Sequence, residues 1–170
     1  SKISCEAFIQ AYSNYGYFKS TIFRFVSWIG QGYSHGVIYD FVNKLLKDPT
    51  KLEILGDGNQ VKSYLDVRDG VQGVLSISEK QKNTSSIFNL GHDQTIPVKK
   101  LAEIVCDQMN LKNVEFIFAG GKRGWIGDSP LVHLDTSKAK EYSWQPKITI
   151  EEGIRQTVKY LLSNDSRRFR

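Results

Sequence analysis

The chain has 170 residues, enough for one domain of ordinary size with a buried core. It is 40% apolar and 24% charged, which is typical of a soluble globular protein. No apolar run approaches the roughly 18 residues that cross a bilayer, and the first residues lack the basic and apolar regions of a secretory signal. We therefore expect a cytoplasmic location and no membrane partner.

The formal net charge is +5 and the isoelectric point is near 9.1. Part of this excess lies in a predicted basic tail, residues 164–170, which contains Arg167, Arg168 and Arg170. The charge that remains is too small to indicate a nucleic-acid partner. It suits a small substrate that carries a diphosphate equally well.

The two cysteines, Cys5 and Cys106, fall within apolar helical patterns. Neither has a second cysteine or a histidine at the spacing of metal ligands. We therefore expect two buried thiols and no metal site.

Apolar spacing predicts alternating helices and strands in the first half of the chain. Gly30, Gly32 and Gly36 interrupt the pattern and predict a loop. An Asp-Gly pair at residues 57 and 58 favours positive φ and predicts a turn. The predicted elements are a helix to about Tyr15, a strand over 21–26, a helix over 37–46, and strands over 52–55 and 61–67.

The second half continues this alternation, which predicts an α/β class. Pro97 precedes an apolar stripe with helical spacing, and Thr149 with Glu152 three residues later forms a possible capping box for the last helix. Residues 120–127 hold too many glycines for regular structure. The predicted elements are a helix over 67–77, a strand over 86–90, a helix over 98–109, a strand over 114–118 and a helix over 150–162.

Six sequence blocks occur in an order that resembles one enzyme family. They come after Ser1-Lys2 and Glu6-Ala7, two pairs in the first predicted helix that also match the family. The chain is similar to the extended short-chain dehydrogenase/reductase family, in particular to its NAD-dependent nucleotide-sugar epimerases and dehydratases, and most closely to the UDP-glucose 4-epimerase type. The blocks are residues 24–30, 36–41, 52–60, 88–91, 123–128 and 144–147.

The resemblance implies two regions. Residues 1–31 and 65–90 would form the C-terminal part of a Rossmann-type NAD-binding domain, and residues 32–64 and 91–163 a smaller α/β nucleotide-sugar-binding domain. In this sequence, no plausible first strand is followed by the glycine-rich turn that holds the cofactor pyrophosphate in the family. We therefore expect that the enzyme continues upstream of Ser1 and that the sheet of this chain is broken.

The resemblance also implies the cofactor, NAD, and the residues beside it. In the family a catalytic tyrosine precedes a lysine by four residues, on the same face of one helix. Lys2 takes the place of that catalytic lysine, which holds the nicotinamide ribose hydroxyls and lowers the pKa of the tyrosine. Phe25 and Val26 pass close to the cofactor, although both also fit a plain strand core.

The same resemblance implies a nucleotide-sugar site. Backbone amides at a helix start suit a diphosphate, a lysine adds charge, and a carboxylate suits two vicinal ribose hydroxyls. The chain departs from the family where serine replaces the usual asparagine at residue 27 and where the second arginine is displaced by two positions. The implied substrate-binding residues are Ser27, Gly36, Val37, Leu52, Glu53, Ile54, Lys62, Arg123 and Asp128.

The sequence therefore predicts the C-terminal portion of a UDP-glucose/UDP-galactose 4-epimerase that acts by transient hydride transfer at sugar C4. The family's habit of pairing the lysine-bearing helix with its copy predicts a homodimer. Two alternatives stay open. One is a nucleotide-sugar 4,6-dehydratase or decarboxylase of the same family, and the other is a non-catalytic module that keeps the sugar-nucleotide pocket.

Overall fold

Helices and strands alternate along the chain, and the α/β class is confirmed. The computed structural model describes residues 1–164, so the predicted basic tail lies outside it except for Asn164. The helices are α1 (Lys2–Asn14), α2 (Val37–Lys47), α3 (Val67–Lys80), α4 (Val98–Gln108), α5 (Ser137–Glu141) and α6 (Ile150–Asn164). The strands are β1 (Ser20–Phe25), β2 (Ser27–Ile29), β3 (Lys51–Ile54), β4 (Val61–Lys62), β5 (Tyr64–Asp66), β6 (Ser85–Leu90), β7 (Ile96–Pro97), β8 (Glu115–Phe118) and β9 (Leu131–Val132).

Parallel pairing dominates the sheets. The parallel pairs are β1 with β6, β2 with β5, β3 with β8 and β4 with β9, whereas β4 and β7 are antiparallel. Parallel strands need crossover connections, which the intervening helices supply. β1 and β6 form a sheet of two strands only, so within the described residues their outer edges have no strand partner.

The apolar residues form two clusters. In the larger one, α2, α4 and α6 pack against one another and α2 packs against β3. The smaller one contains Phe88 and Leu90 of β6, Ile77 of α3, and Trp144. The predicted division into two domains stays a prediction, and Trp144, which it assigns to the second domain, packs in the cluster of β6.

α1 lies on the surface beside β1. Glu6 and Arg24 form an ion pair at 2.5 Å that joins the two elements, and Ser13, the one buried residue of α1, donates a hydrogen bond to Ser20. The expectation of two buried thiols is wrong for Cys5, which is exposed, and confirmed for Cys106. Cys5 is exposed because α1 buries so little of its surface.

The strand predicted over 61–67 is divided. β4 pairs with β7 and β9, whereas β5 pairs with β2 in another sheet. The chain changes sheets at Ser63, whose N–H donates to Val132 O and whose hydroxyl donates to His92 O. Asp66 ends β5 and accepts the Arg68 N–H, so α3 begins at once.

The other predicted elements are found with shifted ends, and four short ones were not predicted. These are β2, β7, β9 and α5, each of five residues or fewer, which is too short for a periodic pattern. The predicted capping box is half present. Thr149 accepts the Glu152 N–H at 3.2 Å, but the Glu152 carboxylate accepts from Gln156 instead of returning the bond.

The carboxylate of Asp69 fastens the segment that leads into α6. Asp69 is buried, and its Oδ2 accepts the N–H groups of Lys147 at 2.9 Å and Ile148 at 2.8 Å. Its backbone oxygen accepts the indole N–H of Trp144. One residue of α3 therefore anchors the loop that positions the last helix.

We expect Asp69→Ala to lower the free energy of unfolding by about 3 kcal/mol, because two N–H groups lose a charged acceptor. Urea denaturation followed by circular dichroism measures the change. Glu103→Ala is the control, since this exposed carboxylate on α4 pairs with exposed Lys100 and its loss should cost less than about 0.5 kcal/mol. Equal losses for the two variants would contradict the anchoring role.

Candidate functional site

A cavity of about 430 Å³ lies where five segments of the chain meet. The segments are the start of β2, the first turns of α2 with the loop that enters it, the stretch from Leu55 to β5, the start of α4, and the turn over 124–128. Its residues include charged, polar and aromatic side chains. The lining is Ser27, Tyr33, Gly36, Val37, Asp40, Phe41, Leu55, Gln60, Lys62, Tyr64, Val98, Gly124, Trp125 and Asp128.

The N-terminus of α2 opens into this cavity. Gly36 is the N-cap residue, with φ of 100°, and no side chain caps the helix through it. The Tyr33 side chain lies against Gly36, and burial raises the pKa of Tyr33 to about 12, a shift that the nearby backbone of Ile38 opposes. Tyr33 is therefore a neutral phenol at the helix start, where backbone N–H groups and the helix dipole favour an anion.

The backbone at Gly36 excludes any side chain. A Cβ built there would lie 2.4 Å from the Tyr33 hydroxyl oxygen, and the positive φ is one that other residues rarely adopt. The glycine is thus required both by conformation and by the close approach of Tyr33.

We expect Gly36→Ala to lower the free energy of unfolding by about 2 to 3 kcal/mol, because strain and a steric clash add. Gly16→Ala separates the two causes, since Gly16 also has a positive φ but nothing lies within 4 Å of its built Cβ. That control should lose only about 1 kcal/mol. Thermal unfolding of both variants measures the difference, and equal losses would contradict the role of Tyr33.

Lys62 and Asp128 form an ion pair in the cavity. Lys62 Nζ lies 2.5 Å from Asp128 Oδ1, and 22% of the lysine side chain but only 5% of the aspartate side chain is exposed. Asp128 Oδ2 accepts the Gly124 N–H at 2.9 Å. Burial alone would raise the pKa of Asp128, but the bond from Lys62, the N–H groups of Gly124 and Ser129 and the lysine charge lower it below its usual value.

The pairing of strands brings these two residues together from distant parts of the sequence. Lys62 lies in β4 and Asp128 lies shortly before β9, which runs parallel to β4. The Val61 N–H donates to Pro130 O at 2.8 Å and so fixes the approach of the two segments. The site therefore depends on a sheet whose strands have only two residues each.

Gln60 is a residue of the site that the sequence did not single out. It is 3% exposed, and its Nε2 donates to Leu55 O at 3.0 Å. A Cβ built on Gly56 would lie 1.9 Å from that nitrogen, so Gly56 leaves the space that the amide fills. The Gly-Asp-Gly-Asn-Gln run at residues 56–60 is the sequence signal that could have indicated Gln60. Its glycines form a tight turn, which leaves room for a buried side chain beside it.

Five of the nine predicted substrate-binding residues line the cavity: Ser27, Gly36, Val37, Lys62 and Asp128. Tyr33, Gln60 and Tyr64 join them without having been predicted, because only the folded chain brings them there. Trp125 also lines the cavity and is 66% exposed.

The other four predicted residues lie elsewhere. The side chains of Leu52 and Ile54 are fully buried in the larger core cluster, because β3 turns these alternate positions inward. Glu53 points outward, and its backbone oxygen accepts from Lys44. Leu55, the next residue in the chain, lines the cavity instead of these three. Arg123 lies outside the cavity lining, and its side chain donates to Ile126 O.

The predicted cofactor residues lie at the carboxyl end of β1. Ser13 of α1 contacts Ser20 at the start of β1, and Glu6 contacts Arg24 near its end, so α1 runs opposite to β1. Lys2, one helical turn before Glu6 on the same face, therefore lies toward the carboxyl end of β1. Phe25 is 43% exposed there, whereas Val26 is buried. An exposed cation and an exposed aromatic ring fit the nicotinamide riboside end of NAD.

The pyrophosphate end of NAD has no such match among the described residues. Gly121, Gly124 and Gly127 have the spacing of a dinucleotide-binding turn, but they lie in the loop between β8 and β9, which contains no helix. Without a helix N-terminus the loop lacks the feature that binds the phosphates. Likewise, the described residues contain no cluster of metal-binding side chains and no helix long and apolar enough to cross a membrane.

The family model for NAD-dependent epimerases and dehydratases matches residues 1–91, more than half of the 170-residue chain. The chain therefore belongs to the NAD-dependent epimerase/dehydratase family. This confirms the resemblance seen in the sequence and, at the level of the family, the cofactor NAD.

Three relatives are among the most similar. A Methanocaldococcus jannaschii protein named as a candidate UDP-glucose 4-epimerase is 28% identical over 97% of this chain and 53% of its own length. A Haemophilus influenzae dTDP-glucose 4,6-dehydratase is 32% identical over 68% of this chain and 36% of its own length. The crystal structure of a Thermotoga maritima UDP-glucose 4-epimerase with UDP-glucose matches with a TM-score of 0.82 and 26% identity, over 96% of this chain and 52% of that one.

The likeness to the Thermotoga structure confirms the Rossmann-type α/β fold. The chain spans about half the length of the relatives that match nearly all of it.

Proposed function

We propose that this chain forms the nucleotide-sugar-binding part of an NAD-dependent UDP-glucose/UDP-galactose 4-epimerase. One observation carries the proposal. The cavity joins the N-terminus of α2, the ammonium of Lys62 and the carboxylate of Asp128. These are the three groups that a nucleoside diphosphate needs, since its phosphates are anionic and its ribose offers two hydroxyl donors.

In this proposal the amides of Gly36 and Val37 and the Lys62 side chain bind the diphosphate. Asp128 accepts the ribose hydroxyls, and the exposed ring of Trp125 covers the nucleotide. The Ser27 hydroxyl lies at the start of β2, just after the proposed cofactor residues, and contacts the sugar. The substrate thus extends from Asp128 toward the end of β1.

Lys2, Phe25 and Val26 would hold the nicotinamide end of NAD, which would supply a reversible hydride acceptor for the sugar. Lys2 binds the hydroxyls of the nicotinamide ribose and keeps a positive charge beside the reacting sugar. Phe25 and the backbone at Val26 cover the nicotinamide and exclude water from it. These assignments follow from the position of all three residues at the carboxyl end of β1.

The reaction is tested on the whole protein with UDP-galactose and NAD, with the product identified by NMR. We expect UDP-glucose. The Haemophilus relative makes a 4,6-dehydratase the second candidate, and it would release a 4-keto-6-deoxy sugar. That product, or no reaction with any nucleotide sugar, would contradict the proposed epimerase.

We also propose a homodimer that forms through α1. Large apolar side chains of α1 are exposed, among them Ile3 at 78% and Phe8 at 66%. Sedimentation should give a dimer, and Phe8→Glu should shift it to the monomer. Val71→Glu, a change at an exposed apolar residue of α3, is the control and should leave the dimer intact. A clean monomer of the unchanged chain at micromolar concentration would contradict this assembly.

A further inference from the structure

Two charged groups of the cavity, Lys62 and Asp128, form an ion pair with each other in the free protein. Their charged atoms are 2.5 Å apart, and the carboxylate is the more buried partner. Its second oxygen is occupied by the Gly124 N–H. An incoming anion therefore meets a lysine whose charge is matched by a carboxylate.

The lining as a whole is not cationic. Among the described residues that line the cavity, Lys62 is the basic one, whereas Asp40 and Asp128 are acidic. Asp40 is paired with Lys44 at 2.8 Å, outside the lining. A bare anion such as pyrophosphate gains one cation here but comes close to a buried carboxylate, and like charges repel strongly in a poorly solvated site.

A ribosyl diphosphate differs because it brings hydroxyl donors. An ionised carboxylate only accepts hydrogen bonds, and the vicinal 2′- and 3′-hydroxyls can donate two. With these donors on Asp128, Lys62 can turn its N–H groups to the phosphates. The buried carboxylate is then never left unpaired, which is the costly outcome when a buried ion pair is broken.

We propose that Asp128 makes the cavity selective for a ribosyl diphosphate over a bare diphosphate. It does so because it restrains Lys62 and because only the ribose hydroxyls can replace the lysine as its partner. The inference rests on the proposed function, since it concerns the same nucleotide-sugar site. It adds that the site rejects anions that lack the ribose. It also adds that the Lys62–Asp128 ion pair causes this rejection.

Isothermal titration calorimetry of the 170-residue chain with UDP and with inorganic pyrophosphate tests the proposal. Asp128→Asn keeps the side-chain shape and one accepting oxygen but removes the charge. We expect this variant to bind pyrophosphate about threefold more tightly and UDP about tenfold more weakly than the unchanged chain. The two affinities thus move in opposite directions.

Asp40→Asn is the matched control, because it removes the other carboxylate of the lining. It should change both affinities by the same factor, so that their ratio stays within about twofold of the unchanged chain. If Asp128→Asn also leaves the ratio unchanged while UDP still binds, the selectivity is overturned and the proposed function stands. If the unchanged chain binds no UDP, both fail.

A second measurement needs no variant and so does not depend on the folding of Asp128→Asn. The analogue 2′,3′-dideoxyuridine 5′-diphosphate has the base and phosphates of UDP without the hydroxyls. The unchanged chain should bind it roughly tenfold more weakly than UDP. Equal affinities for the two nucleotides would overturn the proposal.

Discussion

The Lys62→Met variant is expected to bind UDP about 30-fold more weakly than the unchanged chain, a loss of roughly 2 kcal/mol. Methionine keeps the length and apolar stem of the side chain but removes the ammonium. The phosphates then lose the cation of the cavity, and Asp128, with 5% of its side chain exposed, keeps a negative charge without its lysine partner. Calorimetry with UDP measures the change.

Two further variants identify the cause of that loss. Lys62→Arg keeps the charge and should retain affinity to within about tenfold, although its planar fork differs from the point charge of lysine. Lys44→Met also removes a lysine from a carboxylate of the lining, Asp40, but Lys44 does not itself line the cavity. Its effect should be less than about threefold. If Lys44→Met weakens UDP binding as much as Lys62→Met, direct contact between Lys62 and the phosphates is contradicted.

The Trp144→Ala variant is expected to lower the free energy of unfolding by about 3 to 5 kcal/mol. Trp144 is 2% exposed, and its indole N–H donates to Asp69 O at 3.2 Å. A Cβ built on Gly73 would lie 2.6 Å from the indole ring, so the ring fills the space that this glycine leaves. The substitution therefore opens a large cavity between α3 and the segment before α6.

Trp125→Ala makes the same chemical change at a residue that is 66% exposed. It should change the free energy of unfolding by less than about 0.5 kcal/mol. Urea denaturation followed by circular dichroism compares the two variants, with an unchanged m-value as the sign that the unfolding reaction is the same. A small loss for Trp144→Ala would contradict the core that unites α3 with the C-terminal segment.

The long elements were predictable because their periodicity is determined locally. α2 buries Ile38, Phe41, Val42 and Leu45, the spacing that the apolar residues predicted. Lys62 and Asp128 could be proposed for one site only through the family resemblance, since nothing local in the sequence links residues 66 positions apart. Their direct bond to each other was not predicted at all.

The remainder depends on tertiary contacts that a pattern of residues does not encode. Tyr33 reaches the start of α2, where its hydroxyl lies against Gly36, because the glycine loop folds back. The strand predicted over 61–67 is divided at Ser63 because β4 pairs with β9 whereas β5 pairs with β2. The side chains of Leu52 and Ile54 lie in the core and not in the cavity lining. The sequence did not predict this, because alternation gives a strand two faces and does not say which one meets the cavity.

The most direct test of the nucleotide site is a titration of the ¹⁵N-labelled chain with UDP, followed through the backbone amides. We expect saturable shift changes at Gly36, Val37, Lys62 and Gly124, which line the cavity. Lys80 and Tyr142, which bond each other away from this lining, should not change. Shift changes confined to the second pair, or none at the first four amides at saturating UDP, would contradict the account.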